Sequence, residues 1–374
     1  MDSYDYIIVG AGISGCSVAH ELLKYSNSVL LVDSFSTVAS GASGAAGAFL
    51  SPLLGKPNYL KDLVAKSLSY STQLYKSNFP HVINNCGTTR IPKNETDKKK
   101  FLEFIPYMDF KYTIDNKGYF FDIGSVVNSF GVCKMMTTAF VSSRNQNRIK
   151  TKFNHKVKNI HYDGVYWYLD DSLKAKNIIL TTGANLDLIN ESYLQIKPLW
   201  GKRIDITTTT NLNHNYHKEC SVSKSFQIDE NRYKVSIGAT HHRKLEDIDS
   251  TLDIEKLLAR TNDIVDLDDV EVIKEYIGAR ACSFDYLPIV GELVDSKKTI
   301  EEFPSLLNGE NINSSKYTKY KNLYILNGVG GRGFVLAPYL AKVLIDNIVN
   351  GIKIDESITA QRLFTKNVKR GNDE

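Results

Sequence analysis

Uniform apolar runs and helical periodicity alternate at the start of the chain. Tyr6-Ile7-Ile8-Val9 is apolar throughout and stops at Gly10, as a strand buried on both faces does. From Ser14 to Tyr25, Val18, Leu22 and Tyr25 recur three to four residues apart, which predicts a helix. Val29-Leu30-Leu31-Val32 is a second buried strand, stopping at Asp33. Strand, glycine turn, helix, strand and acid within about 30 residues compose one βαβ unit. Residues 59–79 carry Leu60, Leu63, Leu68 and Leu74 toward one side of a further helix, and 177–182 reads as another strand. The pattern then changes. Lys202 to Thr209 alternates apolar and polar positions, and the runs 225–228 and 233–238 flank a polar turn, as in an antiparallel hairpin. Near the end, Leu323-Tyr324-Ile325-Leu326 is again strand-like, and a helical stretch follows from Ala337 to Val349. Lys93 to Lys100 reads as a solvated loop or helix start, and the polar tail after Phe364 as frayed.

Parallel-sheet signals at both ends with antiparallel signals between them place the chain in the α/β class. The expected architecture is a Rossmann-type dinucleotide-binding domain with an inserted α+β substrate domain built on an antiparallel sheet. Residues 1–84, 129–196 and 276–374 are assigned to the nucleotide domain, and 85–128 and 197–275 to the substrate domain.

Composition adds bounds. At 374 residues and 42% hydrophobic, the chain can bury a core large enough for two domains. A net charge of +4 is compatible with an anionic partner such as RNA without requiring one. Five scattered cysteines without a CxxC pair fit reduced thiols. Met1 to Asp5 lacks the basic and apolar stretches of a secretory leader, and no apolar run is read as long enough to span a membrane. A soluble cytoplasmic protein is expected, and a monomer is compatible with the sequence.

The chemistry begins at Gly10, Gly12 and Gly15, a G-x-G-x-x-G. The first glycine permits a tight turn, the second lets backbone approach a pyrophosphate, and the third lets helix pack on strand. Asp33, ending the second strand, can accept hydrogen bonds from ribose hydroxyls. A second glycine cluster, Gly328, Gly330, Gly331 and Gly333 with Arg332 among them, precedes the last long helix. A helix N-terminus there can face the N1–C2=O edge of a flavin, which a simple NAD enzyme does not need, so FAD is the expected cofactor. The small-residue loop Ser40-Gly41-Ala42-Ser43-Gly44 lets backbone pass close to a bulky ligand, with Ser40 and Ser43 able to bond phosphate or ring edges. His241 and His242 have no partner pattern for a metal, and no metal is expected.

Taken together, Gly10–Gly15, Thr182-Gly183-Ala184, Arg280–Gly291 and Gly328–Pro338 resemble the D-amino-acid/glycine oxidase family of flavoenzymes over nearly the whole chain. Gly41–Gly44 leading to Pro52-Leu53-Leu54, Gly278–Cys282 with Leu287–Gly291, and Gly331–Phe334 leading to Ala337-Pro338 are most similar to one branch, the flavin domain of the MnmC-type enzymes that modify the wobble uridine of tRNA. Ala45-Ala46-Gly47 departs from that branch's polar segment, and Asp33 stands where many members have Glu. The branch is often fused to a methyltransferase domain, so the resemblance implies the oxidoreductase half. It also implies cofactor contacts at Ile13, Ser14, Ser34, Val157, Thr182, Gly183 and Phe334. Arg280 would hold a substrate carboxylate through its bidentate fork, and Arg332 a carboxylate or phosphate.

The implied reaction is oxidation of an amine alpha to a carboxylate. In the branch, the substrate would be the glycine-like unit of 5-carboxymethylaminomethyluridine in tRNA, with Lys202-Arg203, His241 to Lys244 and Lys366 to Arg370 as basic residues for RNA, and Lys56 near the flavin or the RNA. Asp285 and Tyr286 would shape the pocket wall. Two other readings stand beside it. One is oxidation of a free small amino acid (glycine, sarcosine or a D-amino acid), and the other is a flavin-dependent assembly or binding protein without turnover.

Overall fold

The computed structural model describes residues 1–26, 28–138 and 149–371. Five parallel strands lie side by side in the order Lys150–Lys152, Val29–Val32, Asp2–Val9, Leu173–Leu180 and Lys319–Asn327. Their register runs as one row through Lys150, Leu30, Ile7, Ile178 and Leu323. The strand Ile289–Val294 adds antiparallel beyond Lys319–Asn327. The short strands Ile160–Tyr162 and Trp167–Leu169 continue from the start of Leu173–Leu180 and complete an eight-stranded sheet.

Period-two alternation sends side chains to both faces of this sheet, and both are covered. Ile8, Leu31, Ile179 and Leu326 pack with the helices Ile13–Leu22, Tyr59–Asn78 and Gly333–Asn350. Ile7, Leu30, Ile178 and Ile325 pack with Trp167, Leu293 and Phe364. Each buried aliphatic side chain contributes roughly 1.5–3 kcal/mol, which is why the central strands read as continuous apolar runs. The segment 330–350 is long and apolar enough to cross a membrane, so the sequence reading that no run reached that length needs correction. Half of it is buried, and Leu336, Leu340 and Leu344 pack in the core as in a core helix.

A second sheet of nine strands is mostly antiparallel. Its spine is the long pair Ile196–Thr208 and Glu271–Ser283, with Tyr233–Gly238 on the other side of the first strand. The predicted hairpin is present as Phe226–Gln227 paired with Tyr233–Gly238. One pair, Thr88–Arg90 with Asn215–His217, is parallel. The helix Ser250–Asn262 covers one face through Leu257, which packs on Ile204, Ile206, Val222, Val235 and Ile237. A small third sheet joins Phe49–Leu50, Ser125–Val127 and Ile83–Asn84.

The basic stretch at 93–100 starts a helix, Glu95–Phe104, capped by the Asn94 side chain. The tail is not frayed through its described length: Ala360–Gly371 is helical. Asp285 clamps that helix, accepting from Arg362 Nε and Nη2 at 3.0 and 2.9 Å and from Lys366 Nζ at 2.8 Å. Burial pushes the Asp285 carboxyl up, but these hydrogen bonds outweigh it and hold the group well below the usual carboxylate range. A polar tail in sequence is thus docked by charge as well as by Leu363 and Phe364.

Candidate active site

Four parallel strands end at one edge of the first sheet, so Gly10, Asp33, Thr181 and Gly328 emerge side by side. That crevice, outside the carboxyl ends of the strands, is where open α/β sheets bind ligands.

The first turn is built for close approach. Gly10 has φ +109°, and a Cβ there would lie 2.4 Å from the Thr181 carbonyl oxygen. A Cβ at Gly15 would lie 1.8 Å from the Gly10 carbonyl oxygen. Thr181 Oγ1 donates to the Gly10 carbonyl at 2.8 Å, locking the turn to the neighbouring strand. Asp33 accepts from the Ala11 N–H at 2.5 Å and from the Phe35 N–H at 2.9 Å, which orients its carboxylate under the turn.

The helices Tyr59–Asn78, Glu95–Phe104, Ser250–Asn262 and Ser296–Glu302 carry side-chain caps from Asn58, Asn94, Asp249 and Asp295. The helices that start in the two glycine turns, Ile13–Leu22 and Gly333–Asn350, have no cap from their own N-cap residue. Apart from the Ile13 N–H, which Ser43 takes, their leading N–H groups are therefore available to phosphate and to a flavin edge. Ser43 Oγ accepts from Ile13 N–H at 2.9 Å, so the Ser40–Gly44 loop joins the phosphate end of the crevice. A Cβ at Gly41 or Gly183 would meet nothing within 4 Å. Glycine turns, free helix ends, an acid at the ribose position and open space beside them fit FAD.

The remaining predicted contacts divide. Ser14 is buried at the first turn, and Thr182 Oγ1 hydrogen-bonds the Asn185 carbonyl. Ser34 is exposed after Asp33, and Ser40 Oγ turns back to the Thr37 carbonyl at 2.8 Å. The side chains of Val157 and Phe334 lie in the core, and the Phe334 carbonyl accepts from the Tyr75 hydroxyl. Gly44 and Gly278 are small for a further reason. A Cβ at Gly44 would lie 2.1 Å from the Ala39 carbonyl oxygen, and one at Gly278 2.8 Å from Ala45 Cβ. The small-residue loop is thereby pressed against the strand Glu271–Ser283.

That strand delivers Arg280. Its Nη1 donates to the Thr240 carbonyl at 3.3 Å, and among the described residues no carboxylate pairs with it. A Cβ at Gly331 would lie 3.4 Å from Arg280 Cδ, so the arginine runs alongside the second glycine turn. Gly333 in turn abuts Ile13, which brings the two turns together. Arg332 is likewise without a carboxylate partner among the described residues, and its Nη1 donates to the Ser51 carbonyl at 3.3 Å. Burial lowers the pKa of both arginines, yet a guanidinium remains charged near neutrality.

The basic residues proposed for RNA need correction at one point. Lys202 and Arg203 are buried, 0% and 8% exposed, and are paired with Glu275 at 2.6 Å and Asp205 at 3.3 Å, so they are internal ion pairs. Lys56 is exposed beside Glu103, His242 is held by Asp253 at 2.8 Å, and Lys366 is bound to Asp285. Asp285 anchors the last helix, while Tyr286 is exposed at φ +62°.

Sequence reading missed Asn327 and Arg90. Buried Asn327 donates to the Gly183 carbonyl at 2.9 Å and accepts from the Gly328 N–H at 2.8 Å, stitching two turns together. Arg90 Nη1 donates to the Pro52 carbonyl at 2.7 Å. Neither carries a motif signal. Only an Asn ending a buried strand before glycine hinted at the first.

A sequence model of the DAO family, described as FAD dependent oxidoreductase, matches residues 5–347. The chain is 24% identical to the tRNA 5-methylaminomethyl-2-thiouridine biosynthesis bifunctional protein MnmC of Legionella pneumophila (strain Corby), over 99% of this chain and 59% of that protein. It is 22% identical to MnmC of Campylobacter fetus subsp. fetus (strain 82-40), over 98% and 60%. The chain thus spans about 59% of the length of the curated relatives it matches. The glycine oxidase structure from Geobacillus kaustophilus superposes with a TM-score of 0.75 at 16% identity, covering 96% of this chain and 99% of that one. Iminodiacetate oxidase from Chelativorans sp. BNC1 gives 0.70 at 17%, covering 95% and 98%. At such identities these likenesses speak to the fold.

Proposed function

The chain belongs to the DAO family of FAD-dependent oxidoreductases, and we propose that it oxidises the glycine-like amine of 5-carboxymethylaminomethyl-(2-thio)uridine in tRNA. The observation that carries the amine-acid part is Arg280, a half-buried guanidinium with no carboxylate partner among the described residues, beside the second glycine turn. The tRNA part is supported by the similarity to MnmC proteins along 98–99% of the chain.

In this reading Arg280 binds the substrate carboxylate through its fork and fixes the alpha carbon. Bound FAD supplies the acceptor for the hydride that leaves that carbon. The amine must enter neutral, and the surrounding positive charge disfavours its protonation. His241 shares that field, and burial, with Arg280 next, lowers its pKa. Loss of two hydrogens converts N–CH2 to an imine, which water cleaves to glyoxylate and the 5-aminomethyl nucleoside. The nine-stranded sheet would act as the inserted substrate domain, with residues 85–128 and 197–275 as its segments, and the cytoplasm as its location.

The test is to incubate the purified holoprotein with tRNA bearing the carboxymethylaminomethyl nucleoside and to follow nucleosides by mass spectrometry. Conversion to the aminomethyl nucleoside is expected. No conversion, with rapid flavin reduction by glycine or sarcosine, would replace this reading with oxidation of a free amino acid, which the glycine-oxidase-like fold keeps open.

A further inference from the structure

We propose that Arg90 and Arg332 form a second oxyanion subsite beside Arg280, which receives an anionic group of the substrate other than its alpha carboxylate. The geometry is a convergence on two consecutive carbonyls. Arg90 Nη1 donates to the Pro52 carbonyl and Arg332 Nη1 to the Ser51 carbonyl. Consecutive residues lie only about 3.8 Å apart at Cα, so the two guanidinium groups arrive at neighbouring points from different directions. Arg90 comes from the end of Thr88–Arg90 in the second sheet, and Arg332 from the glycine turn of the first.

Each arginine spends one donor on the loop and leaves the rest of its fork. Arg90 Nε is buried without a hydrogen-bond partner. Among the described residues neither guanidinium pairs with a carboxylate. Asp97 is the acid whose charge reaches Arg90, and its own carboxylate accepts from the Lys93 N–H at 3.0 Å. His217, whose Nδ1 lies 2.7 Å from Ser221 Oγ, registers the field: burial first, then the charges of Arg90, Arg332 and Lys93, hold its pKa well below the ordinary histidine value and keep it neutral. Burial first, and the Arg332 charge second, lower the Arg90 pKa, with Asp97 opposing.

Bracing a loop takes one donor on one carbonyl. Two like charges held together with donors unspent are unfavourable alone and favourable around an anion. Arg280 runs alongside Gly331, the residue preceding Arg332, so the second anion would sit next to the carboxylate position. This rests on the proposed amine-acid oxidation. Within it, the second oxyanion is a phosphodiester flanking the modified uridine, or the second carboxylate of a dicarboxylic amine such as iminodiacetate.

The experiment uses the flavin-loaded protein, whose own pyrophosphate site is filled. Inorganic phosphate is titrated by calorimetry into wild type, Arg90→Gln and Arg90→Lys, and KM is measured for the modified tRNA, iminodiacetate and glycine. Phosphate binding is expected in wild type, at least tenfold weaker in R90Q and intermediate in R90K. KM for the dianionic substrate should rise at least tenfold, and for glycine by less. Turnover of iminodiacetate but not of tRNA, with its KM raised in R90Q, would keep the subsite and remove the tRNA reading. Absence of phosphate binding to wild type overturns the subsite even if neither variant folds. Equal binding to R90Q, with KM ratios unmoved, overturns it whichever substrate is oxidised.

Discussion

Tyr75→Phe removes a single hydroxyl and should cost about 1–3 kcal/mol of stability. Pro338 lies inside the helix Gly333–Asn350 and has no N–H, so the Phe334 carbonyl four residues earlier loses its helical donor. The Tyr75 hydroxyl fills that vacancy, donating to the Phe334 carbonyl at 2.8 Å, and Tyr75 is fully buried. The buried ring stays in Phe, so packing changes little and the cost is that of one orphaned carbonyl. Ser71 Oγ bonds the next carbonyl, Val335, at 2.7 Å, so the same helix face is held at two points. Urea unfolding of wild type, Y75F, P338A and Y75F/P338A, at fixed FAD, gives the test. Pro338→Ala gives the Phe334 carbonyl a backbone donor again, so Y75F should cost at least about 1 kcal/mol less in the P338A background. An equal cost in both backgrounds would refute the link between the proline and the tyrosine.

Four further outcomes follow from the site and its supports. Gly15→Ala places a Cβ 1.8 Å from the Gly10 carbonyl oxygen, so the helix must shift from its strand at a cost of about 1–3 kcal/mol. The expected result is protein that loses flavin absorbance on desalting, and full FAD retention would count against the assigned turn. Arg280→Ala should keep bound FAD but slow flavin reduction by substrate, read by stopped-flow absorbance, at least a hundredfold. That corresponds to roughly 3 kcal/mol for a lost charge-assisted bidentate contact, and a flavin-free protein would make the arginine structural. Arg362→Ala breaks a pair whose side chains are 9% and 12% exposed, and should cost about 3 kcal/mol at neutral pH by chemical unfolding. Because Asp285 is held below its unfolded value, its stabilisation is complete above the ordinary carboxylate range and is lost as pH falls through the folded value. The stability gap between wild type and Asp285→Asn should therefore shrink on acidification, and a gap constant with pH would contradict the assignment.

What could be read in advance follows the range of each interaction. Tyr6–Val9, Val29–Val32 and residues 178–180 announced themselves because a strand covered on both faces is apolar along its length. The helix 59–79 was legible from its leucines, and Asn58 caps it where the chain turns. The tail beyond Phe364 misled because its order comes from Asp285, about 80 residues away, and local polarity carries no trace of that pairing. Lys202 and Arg203 misled in the opposite way. Adjacent basic residues suggest a surface, yet within the sheet each reaches an acid, one on the paired strand and one two residues along its own.

The same distinction separates the parts of the site. A glycine turn is dictated by its own backbone, so Gly10, Gly15 and Gly328 could be placed from spacing alone, and the fold brings their strand ends together. Arg90 has no local reason to be special. It matters because a parallel pairing of Thr88–Arg90 with Asn215–His217 carries it to the loop at Ser51 and Pro52, where Arg332 already stands. Charge without a partner is a property of the assembled molecule. A surface arginine needs no explanation, but three guanidinium groups around two glycine-rich segments, with no carboxylate bound among the described residues, call for anions from outside. On the proposed reading, one such anion is the carboxylate of an amino-acid substrate, held by Arg280. The other two arginines, each with one donor on a loop carbonyl, would on that reading be met by a substrate with more negative charge than glycine carries.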